Sequence, residues 1–162
     1  MVEIRRNDPD ALRPFAELNI AWIRDLHWVE PSDQRMFDYP ETYQAGRNSV
    51  FSAWEGGEVI GVCALKEDAD GRFELTKMAV GPAARGKGVG AALMEAVETH
   101  ARDVLGQDGI YLLSNTKNAA ALRLYRRCGW TEDFRGAHPQ YGRCNIGMSK
   151  RLDGARGRSQ RP

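Results

Sequence analysis

The chain has 162 residues, 42% hydrophobic and 28% charged, which is ordinary for one soluble globular domain with a real core. Its net charge of +1 excludes a global field that would draw nucleic acid or an anionic membrane. The three cysteines, Cys63, Cys128 and Cys144, are far apart and odd in number with no CxxC or Cys/His spacing, so neither a zinc site nor a disulfide framework is expected, and no stretch approaches membrane-spanning length. Residues 1–8 lack the apolar run of a signal peptide, so a reduced, cytoplasmic setting is expected.

In chain order, residues 2–5 alternate and predict a short strand. Asp8-Pro9 has the form of an N-cap followed by proline in the first helical turn. Leu12, Phe15, Leu18, Ile20, Trp22, Ile23 and Leu26 then predict a helix ending near His27. Pro31-Ser32-Asp33 is a second cap signal, opening a shorter helix that Pro40 and Gly46 break up. The aromatic residues here (Trp22, Trp28, Phe37, Tyr39, Tyr43) predict a helical cover over a sheet. The alternative is a substrate lid in which Glu30, Asp33 or Asp38 faces an amine. Two apolar runs, residues 50–54 and 59–65, flank Gly56-Gly57 and predict a hairpin. A turn at residues 68–71 leads into a strand over residues 73–80, closed by Gly81-Pro82. After a basic glycine turn, Val89, Leu93, Ala96, Val97, Ala101, Val104 and Leu105 recur at helical spacing, with Gly106 as the stop. Residues 110–114 predict a strand, parallel to the one before because a helical crossover joins them. Asn118 is the expected N-cap of a helix through Leu122, Leu124, Tyr125 and Cys128, with Gly129 at C′. From Trp130 the signal weakens, and a last strand is expected over residues 143–151.

The strand, glycine turn and helix around residues 80–90 together suit an anion. The first N–H groups of a helix have no internal partner, and its dipole favours negative charge there. Gly86, Gly88 and Gly90 lack a Cβ, which lets a phosphate approach the backbone, and Arg85 and Lys87 add positive charge. Three spellings compete with a plain capping turn. Gly81-x-x-x-x-Gly86-Lys87 nearly fits a P-loop, but Gly88 stands where Ser or Thr must hold Mg²⁺. Gly86-x-Gly88-x-x-Ala91 fits a dinucleotide fingerprint on paper, but five residues intervene after Val80 and no βαβ repeat is visible. The third spelling is Arg85-x-x-Gly88-x-Gly90.

That third spelling resembles the pyrophosphate-binding motif of the GNAT superfamily of acyl-CoA-dependent N-acyltransferases. The resemblance extends over about residues 2–152. It is carried by the β-α-α-β-β-β-α-β-α-β order, the strand through Glu74 and Val80, Asn118-x-x-Ala121-x-x-x-Tyr125, and the closing Gly129-Trp130. It implies an α/β (α+β) GNAT fold: a mixed central sheet of six to seven strands flanked by helices, in a single acetyltransferase domain over residues 1–152. Residues 153–162, rich in Gly and Arg without an apolar cluster, are expected to be a disordered tail. The implied activity is transfer of the acetyl group of acetyl-CoA, a co-substrate, to a primary amine of a small molecule or protein, without a metal. The implied partners are that acceptor alone, with no nucleic acid and no membrane; a homodimer is left open. The alternative is a non-catalytic acyl-CoA-binding or sensing module, although this chain keeps both the tyrosine and the turn.

The resemblance also implies roles for residues. Backbone N–H groups of Arg85, Gly86, Lys87, Gly88, Val89 and Gly90 would hold the pyrophosphate. The backbone of Met78, Ala79 and Val80 would pair with the pantetheine arm like an added strand, and one N–H there would stabilise the oxyanion. Asn118 would add a contact to CoA. Tyr125 would protonate the departing thiolate, and Glu74 would take the amine proton, directly or through water. Glu74 lies six residues before Val80, roughly 20 Å along a strand, which suits the reactive end of an arm anchored near Arg85. Strand alternation puts Glu74 on one face with Thr76 and Met78, opposite Lys77, unless a bulge changes the phase. Cys128 and Cys144 are expected to pack, His27 and His100 to be structural, and His138 is a loop residue that could face the substrate.

Overall fold

β1 (Glu3–Arg6), β2 (Ser49–Glu55), β3 (Glu58–Glu67), β4 (Phe73–Val80), β5 (Gly109–Ser114), β6 (Thr131–Arg135) and β7 (Ile146–Arg151) form one sheet in the order β1-β2-β3-β4-β5-β7-β6. The helices are α1 (Leu12–Leu26), α2 (Pro31–Asp38), α3 (Val89–Asp103) and α4 (Ala119–Arg127). This computed structural model describes residues 1–152, the side chains of Leu26 and Ala83 excepted. The segment 153–162, expected as a disordered tail, lies outside the described residues. The α/β (α+β) class and the element order agree with the sequence reading, with one strand added.

Local chemistry explains most boundaries. Asp8 Oδ1 accepts the Asp10 N–H at 2.9 Å and caps a short 3₁₀ turn, Pro9–Ala11, that runs into α1. Gly56 and Gly57, at φ 59° and 82°, form the two-residue loop that the right-handed twist of a hairpin favours, with Glu55 opposite Glu58. The added strand, β6, was invisible in the sequence because all five of its residues, Thr131–Arg135, are exposed and carry no alternation. The last strand starts at Ile146 rather than at residue 143. Val104, expected on the apolar stripe of α3, is 69% exposed, because the helix ends at Asp103.

Two apolar clusters cover the two faces of the sheet. Leu93, Met94 and Val97 of α3 and Leu122 and Tyr125 of α4 pack over Phe73, Leu75, Ile110 and Met148. On the other face Phe15, Ala16 and Ile20 of α1 and Met36 of α2 pack over Val50, Val62, Ala64 and Ala79. Trp22, Phe37 and Tyr43 pack against this second cluster, as a cover over the sheet requires, whereas Trp28 and Tyr39 are exposed.

β4 carries an irregularity. Val62 pairs with Ala79 and Ala64 with Thr76, so Lys77 and Met78 together stand opposite Cys63 alone. Lys77 takes φ 55°, a left-handed conformation that costs a non-glycine residue about 1 kcal/mol. The bulge changes the strand's phase. Met78 and Val80 pack with the α3 and α4 cluster, whereas Ala79 packs with the α1 and α2 cluster. The simple alternation that grouped Met78 with Glu74 and set Lys77 opposite them is thereby corrected.

Candidate active site

The turn after β4 is built from a short 3₁₀ turn, Pro82–Ala84, two left-handed glycines and the start of α3. Gly86 and Gly88 take φ 82° and 71°, and a Cβ on either would meet nothing within 4 Å. Both glycines are thus required by backbone shape and border open space. Gly90 differs: a Cβ there would lie 2.7 Å from Leu124 Cδ2, so its bare backbone serves the approach of α4. The Arg85 N–H donates to Pro82 C=O at 3.4 Å and the Lys87 N–H to Ala84 C=O at 3.2 Å. The Ala92 N–H closes the first helical bond, to Gly88 C=O. That leaves the amides of Gly86, Gly88, Val89, Gly90 and Ala91 without a backbone acceptor among the described residues, at the positive end of the helix. Lys87 Nζ is 3.1 Å from Glu55 Oε1. Arg85 is exposed, with no ion pair among the described residues.

Next to this turn the sheet opens. The parallel pairing of β4 with β5 is confined to Glu74 opposite Tyr111, while β5 pairs along its whole length with β7 on its other side. Beyond that single bridge no ladder pairing joins the two strands, which leaves an unpaired gap, the cleft, between their C-terminal halves. The Gly81 N–H donates to Ile60 C=O at 2.8 Å on the β3 side. Alternation along the strand then turns the backbone groups of Val80 and Met78 toward the cleft, and those of Ala79 toward β3.

Tyr125 and Glu74 approach from opposite faces of the sheet. Tyr125, on α4, is 8% exposed beside Trp130, with ring centroids 6.2 Å apart. Burial, with a smaller contribution from Cys63, pushes its phenol far above the usual tyrosine range, and no described group hydrogen-bonds its hydroxyl. Glu74, half-buried on the α1 and α2 face, also has no hydrogen-bond partner among the described residues. Burial raises its carboxyl above the usual range, against the opposing pull of Lys66 and Lys77. Asn118 occupies the N-cap position of α4 but does not cap it. Its Oδ1 lies 3.2 Å from His27 Nε2, and its Nδ2 donates to Ser114 Oγ at 3.4 Å. His27, at the C-cap of α1, thus reaches the far side of the cleft. His138 Nδ1 accepts the N–H groups of Gln140 and Tyr141, at 3.0 and 3.3 Å, and so holds its own turn.

A model of the acetyltransferase (GNAT) family matches residues 17–130, a span that includes the glycine turn, the cleft strands and Tyr125. The chain belongs to the GNAT family. An IAA acetyltransferase of Azospirillum brasilense is 34% identical over 144 residues, covering 87% of this chain and 90% of its own. Probable N-acetyltransferase 14 of Xenopus tropicalis is 30% identical over 115 residues; the match covers 70% of this chain but only 54% of that relative. Among solved structures, a GNAT acetyltransferase from Staphylococcus aureus Mu50 superposes with a TM-score of 0.82 at 20% identity, covering 94% of this chain and all (100%) of its own. A spermidine N-acetyltransferase from Vibrio cholerae, solved with CoA and spermine, gives a TM-score of 0.70 at 20% identity, covering 93% and 95%. These two share the fold.

This GNAT chain also brings together groups that no motif announced. Tyr111 donates its O–H to Asp68 Oδ2 at 2.8 Å, next to Glu74. The Tyr43 phenol is pushed up to about 12, by burial first and then by the nearby carboxylates of Glu74 and Asp33. Asp33, fully buried at 0% exposure, receives Lys77 Nζ at 3.2 Å and Arg143 Nη2 at 2.8 Å. Arg143 Nε lies 3.3 Å from Glu30 Oε1. Asp33 is thus engaged by two cations and is not left to face an amine, whereas the buried Glu30 Oε1, beside Arg143, makes no hydrogen bond among the described residues. Among the described residues, no group of three or more His, Cys, Asp or Glu is placed to hold a metal ion, and no helix is long and apolar enough to cross a membrane.

Proposed function

We propose that this protein moves the acetyl group of acetyl-CoA directly to a primary amine of a small molecule or a protein. The observation that carries the reading is the cleft between β4 and β5, which opens beside a turn whose amides suit a diphosphate. In this reading the amides of Gly86, Gly88, Val89 and Gly90 hold the pyrophosphate, with Arg85 adding charge from outside and Lys87 shared with Glu55. Met78 and Val80 pair with the amide-rich arm along the strand edge, and one of their N–H groups donates to the oxygen that gains charge as the amine attacks.

Glu74 takes the proton of the attacking amine, directly or through one water. A carboxylate raised by burial and free of partners is a stronger base than an ordinary one. The new C–N bond forms as the C–S bond breaks, and Tyr125 gives its phenolic proton to the departing sulfur. A phenol kept protonated by burial is suited to acid duty. Asn118 lies within the same rim. The setting is read as cytoplasmic. The test is thiol release from acetyl-CoA in the presence of a polyamine, an amino acid, an aminoglycoside and a lysine peptide. Acetylated product from one class is the expected result. Tight acetyl-CoA binding with no thiol release for any amine would overturn transfer in favour of a sensing module.

A further inference from the structure

The bulge in β4 decides which backbone groups face the cleft, and it holds a lysine in a conformation that lysine disfavours. Two buried polar side chains from the helical cover reach that one residue. Asn19, 2% exposed on α1, donates through Nδ2 to Lys77 C=O at 3.0 Å and to Phe15 C=O at 3.0 Å. Asp33, 0% exposed on α2, accepts Lys77 Nζ at 3.2 Å. Only four polar or charged residues are buried among those described: Asn19, Asp33, Ser49 and Ser52. Both that come from the cover attach to Lys77. Asp33 is itself oriented by the Glu30 N–H at 2.8 Å and by Arg143, whose Nη1 also donates to Trp28 C=O at 3.1 Å.

We infer that Asn19 and Asp33 are positioning residues for the transfer reaction, clamping Lys77 by its carbonyl and its ammonium so that Met78 and Val80 present their amides to the thioester. Buried polar groups are expensive, and a left-handed residue persists only where its surroundings over-determine it. Without the clamp, Lys77 can relax to ordinary strand angles. The extra residue then shifts along β4, and the donors beyond it turn away from the cleft. The pyrophosphate turn, which follows Val80, stays in place. The clamp therefore acts on turnover and on the pairing of the arm, and not on the diphosphate grip.

This inference rests on the proposed transfer reaction. The test measures kcat, acetyl-CoA affinity and amide hydrogen exchange for Asn19→Ala, Asp33→Ala and Asp33→Asn. The expected result for the alanine variants is at least a tenfold fall in kcat, a rise in acetyl-CoA Kd smaller than the fall in kcat, and faster exchange centred on residues 77–80. Asp33→Asn keeps an oxygen toward Lys77 and should recover part of the loss. Lys77→Gly adopts the left-handed angles freely, so adding it to Asn19→Ala should shrink the effect of losing Asn19. Folded variants with unchanged kcat and unchanged exchange at residues 77–80 would overturn the clamp. Should the wild type release no thiol with any amine, the exchange measurement alone decides: local acceleration upholds the clamp, and its absence removes it.

Discussion

Tyr125 and Glu74 have had their acidities moved in the same direction by the same cause, burial. In the proposed reaction the phenol, held protonated, would serve as the acid, and the carboxyl, raised by burial, would serve as a stronger base than an ordinary carboxylate. Tyr125→Phe keeps the ring against Trp130 and removes only the hydroxyl that carries the proton. A kcat lowered at least tenfold with acetyl-CoA affinity nearly intact is the expected kinetic signature. For Glu74→Gln the loss should depend on pH. It is deepest between the raised pKa of Glu74 and that of the acceptor amine, where the wild type has a working base and the amine is still protonated. At higher pH the amine arrives neutral and the variant approaches the wild type. A pH-independent loss in kcat/KM would assign the proton transfer to water.

At the scale of elements, the glycine turn shows how one motif mixes two jobs. Gly88 stands at φ 71° in open space, so Gly88→Ala meets strain of about 1 kcal/mol without a clash. Its Cβ would stand beside the turn's amides, and acetyl-CoA affinity should fall, as calorimetry would show. Gly90→Ala meets Leu124 instead. Thermal stability should drop while affinity changes little, and Leu124→Val in the same chain should restore part of the Tm. In the sequence the three glycines looked alike, since the partner of Gly90 stands on another helix, 34 residues away. The hairpin at Gly56-Gly57, the cap at Asp8 and the stripe of α3 were legible because each rests on neighbours in the chain. The bulge was not. Thr76-Lys77-Met78 contains no glycine or asparagine, and what holds it lies 58 and 44 residues away, at Asn19 and Asp33. Asn118 likewise read as a cap, but a distant histidine, His27, competes for its side chain.

Over the whole molecule, the two carboxylates on the α1 and α2 face make opposite contributions to stability. For Asp33, burial alone would raise the pKa, but the Glu30 amide, Lys77 and Arg143 together outweigh it and hold the group below its usual range. A depressed pKa stabilises the fold above the unfolded-state value, about 3.9, and that stabilisation is lost as pH falls through the lower folded-state value. Glu74 has the reverse sign. Its raised pKa leaves the fold unpenalised below about 4.3, and the penalty grows as pH rises through its folded-state value. The comparison of Tm against pH for wild type, Asp33→Asn and Glu74→Gln should separate the two. Asp33→Asn should be less stable by a constant margin at neutral pH, closing only in strong acid. Glu74→Gln should be more stable at neutral pH, with the advantage gone below about pH 4. Arg143→Ala leaves Asp33 with Lys77 and the Glu30 N–H, and the weakened buried network should lower stability in urea unfolding at pH 7 by less than the roughly 3 kcal/mol of a fully broken pair. Such an outcome means that the fold gives up stability at its base and recovers it at the ion-pair network beneath the cover. If Glu74→Gln were the less stable variant at pH 7, that carboxylate would belong to the scaffold and not to the chemistry.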